Sequence, residues 1–216
     1  MGWLTTAALV GKHAMLEPLS QQHHGDLIEA TKDGSLWTLW YTTVPDASGM
    51  RAMIDKRMGD NAGDVRFGFV VRAVGSGRIV GMTNYMNADR DNRRLEIGGT
   101  WYSQHVQRTA INTECKLLLL TRAFEELKCI AVEFRTHFFN RQSRRAIERL
   151  GAKLDGTLRS HQISSDGTMR DTCVYSIIAV EWPTVRKHLQ WQLSRHPLVA
   201  GKSECGNAHL AALERP

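Results

Sequence analysis

Three stretches of this chain carry residue types at spacings that suit chemistry. The first is residues 104–111, a loop that leads from a strand-like run into a helix-like run beginning near Asn112. A helix N-terminus leaves about four backbone N–H groups without helical partners and carries partial positive charge. Such a loop can hold a phosphate with main-chain donors, and Arg108 adds a cation beside them. A plain strand-to-helix connection has the same appearance, so both readings stand. The glycine patterns of the P-loop and of the dinucleotide fingerprint are absent. The second stretch is Glu96, set between Leu95 and Ile97. Burial among apolar neighbours raises a carboxyl pKa toward neutrality, where it can take up a proton. The alternative is an exposed carboxylate paired with Arg93 or Arg94. Gly98-Gly99 follow at once and fit a β-bulge, which frees backbone N–H donors over residues 99–101. The third is Asn140, a helix N-cap candidate with Ser143 in the first turn after it.

These residues need elements to hold them. Residues 13–19 alternate weakly and end near Pro18, as an edge strand does. A helix runs from Ser20 or Gln21 to about residue 30, and residues 48–58 form a second, with Met50, Met53, Ile54 and Arg57 at helical spacing. His23 and His24 fall on the first helix and read as a solvated face. Three strands, over 67–74, 79–86 and 94–102, are joined by short turns and make an antiparallel meander. A helix from about residue 112 to 127 carries Leu117, Leu120, Phe124 and Leu127 on one face. A strand over 129–136 and a helix over 140–150, stopped by Gly151, come next. Strands over 152–159 and 172–178, turning at 165–167, and a helix opened by Pro183 complete the order. That pattern is a mixed α/β (α+β) sheet in one domain. Residues 1–12 read as a lead, 13–194 as the domain and 195–216 as a loose tail.

Composition narrows the function classes. A chain of 216 residues can bury a full core without metals or disulfides. The net charge of +6 suits nucleic acid, an anionic membrane surface or a phosphorylated cofactor, and equally suits solubility alone. No Lys/Arg-and-aromatic module of a nucleic-acid binder is present. No apolar run approaches the roughly 18 residues of a membrane span, and the N-terminus has no signal-peptide pattern. The four cysteines, Cys115, Cys129, Cys173 and Cys205, show no C-x-x-C spacing. They read as free thiols in a reducing cytoplasm, with no metal expected.

The run from Leu95-Glu96-Ile97-Gly98 through Gln107-Arg108-Thr109-Ala110-Ile111-Asn112-Thr113-Glu114 resembles motif A of the GNAT superfamily of acetyl-CoA-dependent N-acyltransferases. The run from Asn140 to Ala152 resembles that family's motif B, N-x-x-S-x-x-x-[IL]-E-[KR]-x-G. The resemblance extends from about His13 to Trp182 and is strongest to the ribosomal-protein-alanine N-acetyltransferase-like group (RimJ/RimL type). One departure is plain: the family signature [RQ]-x-x-G-x-[GA] has Ala110 and Asn112 where glycines are usual. Ala110 fits if its φ is negative, and Asn112 can compensate by capping the helix or by donating to a phosphate oxygen.

The resemblance implies a single GNAT-like domain that moves an acetyl group from acetyl-CoA to a primary amine. It casts Glu96 as general base and Ser143 as the group that hydrogen-bonds or protonates the departing thiolate. Coenzyme contacts fall to Trp101, Gln107, Arg108, Thr109, Ala110, Ile111, Asn112, Thr113, Asn140, Ser143 and Arg145, with Arg144 beside Arg145 facing the 3′-phosphate or solvent. Trp37, Trp40, Tyr41, Asn84, Tyr85 and Phe138 are the candidates for the acceptor pocket, although an aromatic cluster is more often core. The acceptor is a small amine or a protein N-terminus, with no nucleic acid and no membrane, and a homodimer stays open. A catalytically weak coenzyme-binding sensor, and transfer of another acyl group such as succinyl, are the alternatives.

Overall fold

The computed structural model describes residues 2–62, 65–164 and 166–195. Among these residues eight strands form one sheet in the order β1-β2-β3-β4-β5-β6-β8-β7. The strands are β1 (Leu9–Val10), β2 (Ala14–Pro18), β3 (Phe67–Ala73), β4 (Ile79–Asp89), β5 (Arg94–Tyr102), β6 (Ala131–His137), β7 (Lys153–Ile163) and β8 (Met169–Ile178). The helices are α1 (His24–Lys32), α2 (Met50–Ala62), α3 (Ala110–Thr121), α4 (Arg141–Glu148) and α5 (Trp182–Ser194). All strand pairs are antiparallel except β5 with β6. That pair must be parallel because α3 carries the chain back to the starting end of the sheet.

Two apolar clusters lie on opposite faces of the sheet. The larger gathers Phe69, Tyr85, Leu95, Ile97, Phe134 and Tyr175 with Leu119 of α3, Ile147 of α4 and Leu189 of α5. The smaller joins Val70, Met82 and Trp101 to Leu27 of α1 and Met50 and Ile54 of α2. β3 is covered on both sides, so its run FGFVV is apolar throughout rather than alternating. Helices α1 and α2 end their cover near β5. Beyond it, the same face of β6, β8 and β7 lies open as a groove of about 680 Å³ with Glu133, Arg135, Val174, Ser176 and Leu158 in its lining.

Several sequence expectations change. In the stretch expected as a lead, Leu4 is fully buried in the larger cluster and β1 pairs with β2. His23 is not a solvated residue; its Nδ1 accepts from the Ser20 N–H and its Nε2 lies 3.5 Å from Glu17. The long helix starts at Ala110 rather than Asn112, and its last stretch, Arg122–Glu126, is a π-helical turn. There Arg122 donates to the Thr5 carbonyl and to Glu126, tying that turn to the N-terminus. The last hairpin is longer than expected at both strands, and Ser165 in its turn lies outside the described residues. The same holds for the expected tail from residue 196 onward, with Cys205 in it. Cys115, Cys129 and Cys173 are buried free thiols.

Candidate active site

β5 and β6 pair only over Arg94↔Ala131, Leu95↔Val132 and Glu96↔Glu133, and part beyond that point. Glu96 therefore stands at the mouth of a split in the sheet. It is 5% exposed and points to the face that α2 partly covers, away from Leu95 and Ile97. Burial holds its carboxyl above the ordinary carboxylate range, opposed by a hydrogen bond from Asn87 and by the Arg135 charge. The Asn87 Nδ2 donates to Glu96 Oε2 at 2.7 Å, and Arg135 lies 3.7 Å from the same oxygen. Asn87 has a positive φ of 47° where the β4–β5 register shifts, which turns its amide inward. Pairing of Glu96 with Arg93 or Arg94 does not occur; Arg94 binds Glu133 at 2.6 Å.

Gly98 makes room for this carboxylate. A Cβ there would fall 2.6 Å from Glu96 Oε1 and 2.9 Å from Met86 Sδ. Gly99 has φ of +55°, and the register against β4 skips between Gly98 and Trp101, so Gly99 and Thr100 form the expected bulge. Asn84 locks it. Its Nδ2 donates to the Gly98 and Gly99 carbonyls at 3.0 and 3.2 Å, while its Oδ1 accepts from the buried Arg57 of α2 at 2.6 Å. Burial pulls the Arg57 pKa down to about 10.

On the other side of the split, the start of α3 faces α4. Thr109 is the N-cap of α3, accepting from Ile111 N–H at 3.3 Å and donating to the Val106 carbonyl at 2.7 Å. The cap is thus Thr109 and not Asn112. Arg108 takes a positive φ of 65°, and the chain enters α3 at Ala110 in a helical conformation that alanine accepts. Gln107 links the two motifs: its Nε2 donates to the Tyr102 carbonyl at 3.1 Å and its Oε1 accepts from Gln142 of α4 at 3.0 Å. Asn140 caps α4 by accepting the Ser143 N–H at 3.0 Å, which leaves its NH2 to donate. Arg141, Arg144, Arg145 and Glu148 line a shallow depression of about 350 Å³. Arg145 is exposed there, whereas Arg144 is committed to the Tyr175 hydroxyl at 2.9 Å.

Other expected site residues are placed elsewhere. The Trp101 indole is packed in the smaller core cluster, so only its backbone reaches the bulge. Tyr85 lies in the larger cluster on the face opposite Glu96, its hydroxyl donating to the Leu119 carbonyl. Thr113 is buried and accepts from Arg149 at 3.0 Å. Phe138 packs on the larger cluster beneath the Arg141 and Arg144 guanidiniums. Trp40 and Phe139, each 60% exposed, flank His137 with Tyr41 alongside. Trp37 is exposed and outside that group. Burial and the Arg170 charge lower the His137 pKa, opposed by Asp171, and its Nδ1 accepts from the Phe139 N–H. Sequence reading missed Asn87, Arg135, His137 and Phe139. Period-two alternation along β6 places Glu133, Arg135 and His137 on the Glu96 face, and was the available signal. Among the described residues no three His, Cys, Asp or Glu side chains gather as metal ligands. No described helix is long and apolar enough to cross a membrane.

The sequence profile of the Acetyltransferase (GNAT) domain matches residues 13–153. The chain belongs to the GNAT family. Among GNAT relatives, it is 33% identical over 106 residues to YdaF of Bacillus subtilis (strain 168), provisionally described as a ribosomal N-acetyltransferase. That match covers 49% of this chain and 57% of YdaF, so the chain spans little more than half of that relative. A GCN5-related N-acetyltransferase from Brucella melitensis superposes with a TM-score of 0.80 at 28% identity, covering 88% of this chain and 86% of its own. RimL, a ribosomal L7/L12 alpha-N-protein acetyltransferase solved with coenzyme A, shares the fold at 14% identity and a TM-score of 0.68, over 79% of this chain and 97% of RimL. In this GNAT domain the glycine-to-alanine departure in motif A is absorbed by helix geometry. The left-handed turn falls on Arg108, two residues before Ala110.

Proposed function

We propose that the chain transfers the acetyl group of acetyl-CoA to a primary amine, with Glu96 as general base. The observation that carries this reading is the buried, pKa-raised carboxylate at the point where β5 and β6 separate, beside the Gly99 bulge. The coenzyme would supply an activated thioester. Its pyrophosphate suits the first-turn N–H groups of α3 over residues 110–113, with Arg108 alongside. Asn140 offers its free NH2 to the pantetheine, and exposed Arg145 offers a cation to the 3′-phosphate. The solved RimL complex with coenzyme A in the same fold supports this donor.

Glu96 then takes a proton from the ammonium of the acceptor, directly or through water, and the free amine attacks the carbonyl carbon. Charge that develops on the carbonyl oxygen is met by a backbone N–H freed at the bulge over residues 99–101. As the carbon–sulfur bond breaks, Ser143, in the first turn of α4, hydrogen-bonds the departing sulfur, which takes up the proton that the amide nitrogen sheds. The names of YdaF and RimL favour a protein α-amine as acceptor, and the open face of β6, β8 and β7 leaves room for a polypeptide. The test is release of free thiol from acetyl-CoA in the presence of an amine panel. Glu96→Gln should lower kcat/KM for the amine by about 10²–10⁴-fold while coenzyme affinity holds. Unchanged turnover in that variant would overturn the assignment.

A further inference from the structure

The face that carries Glu96 also holds Arg170, which no step above uses. Register places it: Arg135 of β6 lies opposite Val174 of β8, and His137 opposite Thr172. Arg170, two residues before Thr172 on β8, therefore shares the face of Arg135, His137 and, through the Glu96↔Glu133 pair, Glu96. The side chain is partly buried, and its Nε donates to the Thr172 hydroxyl at 3.2 Å. It interacts electrostatically with both Glu96 and His137, so its charge is directed at the split in the sheet.

The neighbouring cations are already committed. Arg135 donates through Nε and Nη2 to Glu133 Oε2, and Arg94 donates to Glu133 Oε1. Among the described residues Arg170 has no carboxylate within ion-pair distance, and its Nε is held by the Thr172 hydroxyl. Arg94, Arg135 and Arg170 thus stand beside the carboxylates Glu96 and Glu133, and Arg66, paired with Asp60, acts on Glu96 as well. A planar guanidinium held at its Nε end keeps its two NH2 groups to present to a ligand, the geometry that binds a carboxylate in bidentate fashion.

We propose that Arg170 receives a carboxylate of the acceptor, so that the amine presented to Glu96 carries an acidic group a few bonds away. This rests on the acetyl-transfer reading and narrows its substrate class. The carboxylate has two sources, the α-carboxylate of a free amino acid or an acidic side chain near the N-terminus of a polypeptide.

Two matched pairs separate these sources in assays of the full chain with acetyl-CoA: serine against serinamide, and the peptide amides Ser-Glu-Ala-Ala and Ser-Gln-Ala-Ala. In at least one pair the carboxylate member should show a kcat/KM about 10–100-fold higher, mostly through KM. Arg170→Gln should erase that ratio, Arg170→Lys should restore part of it, and the surface variant Arg159→Gln should leave it as in the parent. A pair that is not turned over is read by calorimetric binding to the coenzyme A complex, with the same ratio expected. Equal or better use of the uncharged member in both pairs overturns the inference. So does a ratio that survives Arg170→Gln, or failure of every member both to react and to bind. A chain that does not bind acetyl-CoA at all overturns the acetyl-transfer reading instead.

Discussion

Glu96 is held in a compromise between stability and reactivity. Its carboxyl sits above the ordinary range because burial outweighs the Asn87 hydrogen bond and the Arg135 charge. The folded chain therefore binds this proton more tightly than the unfolded chain does. Stability falls as pH rises from the unfolded value of 4.5 through the raised folded value, and the deficit persists at neutral pH. In the proposed mechanism activity runs the other way, since only the ionised form accepts a proton. The parent kcat/KM should climb as pH passes the raised Glu96 pKa. Glu96→Gln should lose that limb and melt at a higher temperature at pH 7, read by calorimetry beside the rate profile. Gly98→Ala tests placement rather than chemistry. Its Cβ would meet the Glu96 carboxylate at 2.6 Å, and the far end of that side chain can swing away. Folding should be little affected, while kcat/KM falls about 10–100-fold because the base is displaced by about an ångström. A rate equal to the parent would show that Glu96 tolerates the shift. The burial of Glu96 was legible in the sequence from its apolar neighbours. The partners Asn87 and Arg135 were not, because one depends on a bulge and the other on a strand pairing across 37 residues of sequence.

At the scale of elements, α3 does two separate jobs at its N-terminal end. Ala110 is the first helical residue after the Thr109 cap, and Thr109 is already extended, as a residue before proline must be. Proline suits that first position of a helix. Ala110→Pro should therefore retain helix content by circular dichroism and remove one backbone donor from the proposed pyrophosphate cradle. The acetyl-CoA Kd should rise about 10–100-fold, the worth of one hydrogen bond to a charged group. Equal affinity would remove the cradle from α3. The second job belongs to Glu114, one turn on. Its carboxylate accepts the backbone N–H groups of Lys12, His13 and Ala14 at 2.9, 2.5 and 2.7 Å, which anchors the β1–β2 turn to α3. Glu114→Ala leaves these amides without their acceptor and should cost about 3–5 kcal/mol in urea unfolding. A loss under about 1 kcal/mol would mean that water replaces the carboxylate there. Sequence periodicity revealed α3 clearly but placed its start two residues late. The cap is decided by which side chain reaches the Ile111 amide, which spacing alone does not settle. The role of Glu114 was hidden because its partners are about 100 residues away.

Across the whole molecule, the order of strands and helices followed from runs of apolar residues and the turns between them. What the runs did not disclose is which face each helix covers, and so that β6, β8 and β7 stay open on the Glu96 side. Burial also collects one charge that local patterns flag only as a polar break in an apolar helix. Lys116 of α3 is 5% exposed, donating to the hydroxyls of Thr83 at 3.1 Å and Thr100 at 2.8 Å. Desolvation pulls its pKa from 10.5 down to about 8. Between pH 8 and 10.5 the unfolded chain holds more protons than the folded one, so stability from this group rises with pH across that window. Below pH 8 the folded chain carries a buried ammonium whose deficit is about 3 kcal/mol. Lys116→Met removes the charge and keeps much of the volume. The two threonine hydroxyls lie 2.7 Å apart and satisfy each other once the ammonium is gone. The variant should therefore be more stable than the parent by about 1–3 kcal/mol at pH 7 in urea unfolding. That advantage should shrink steadily as the measurement is repeated from pH 8 to pH 10. A variant less stable at pH 7, or an advantage that does not change with pH, would show that the ammonium holds β4, β5 and α3 together more strongly than its burial costs.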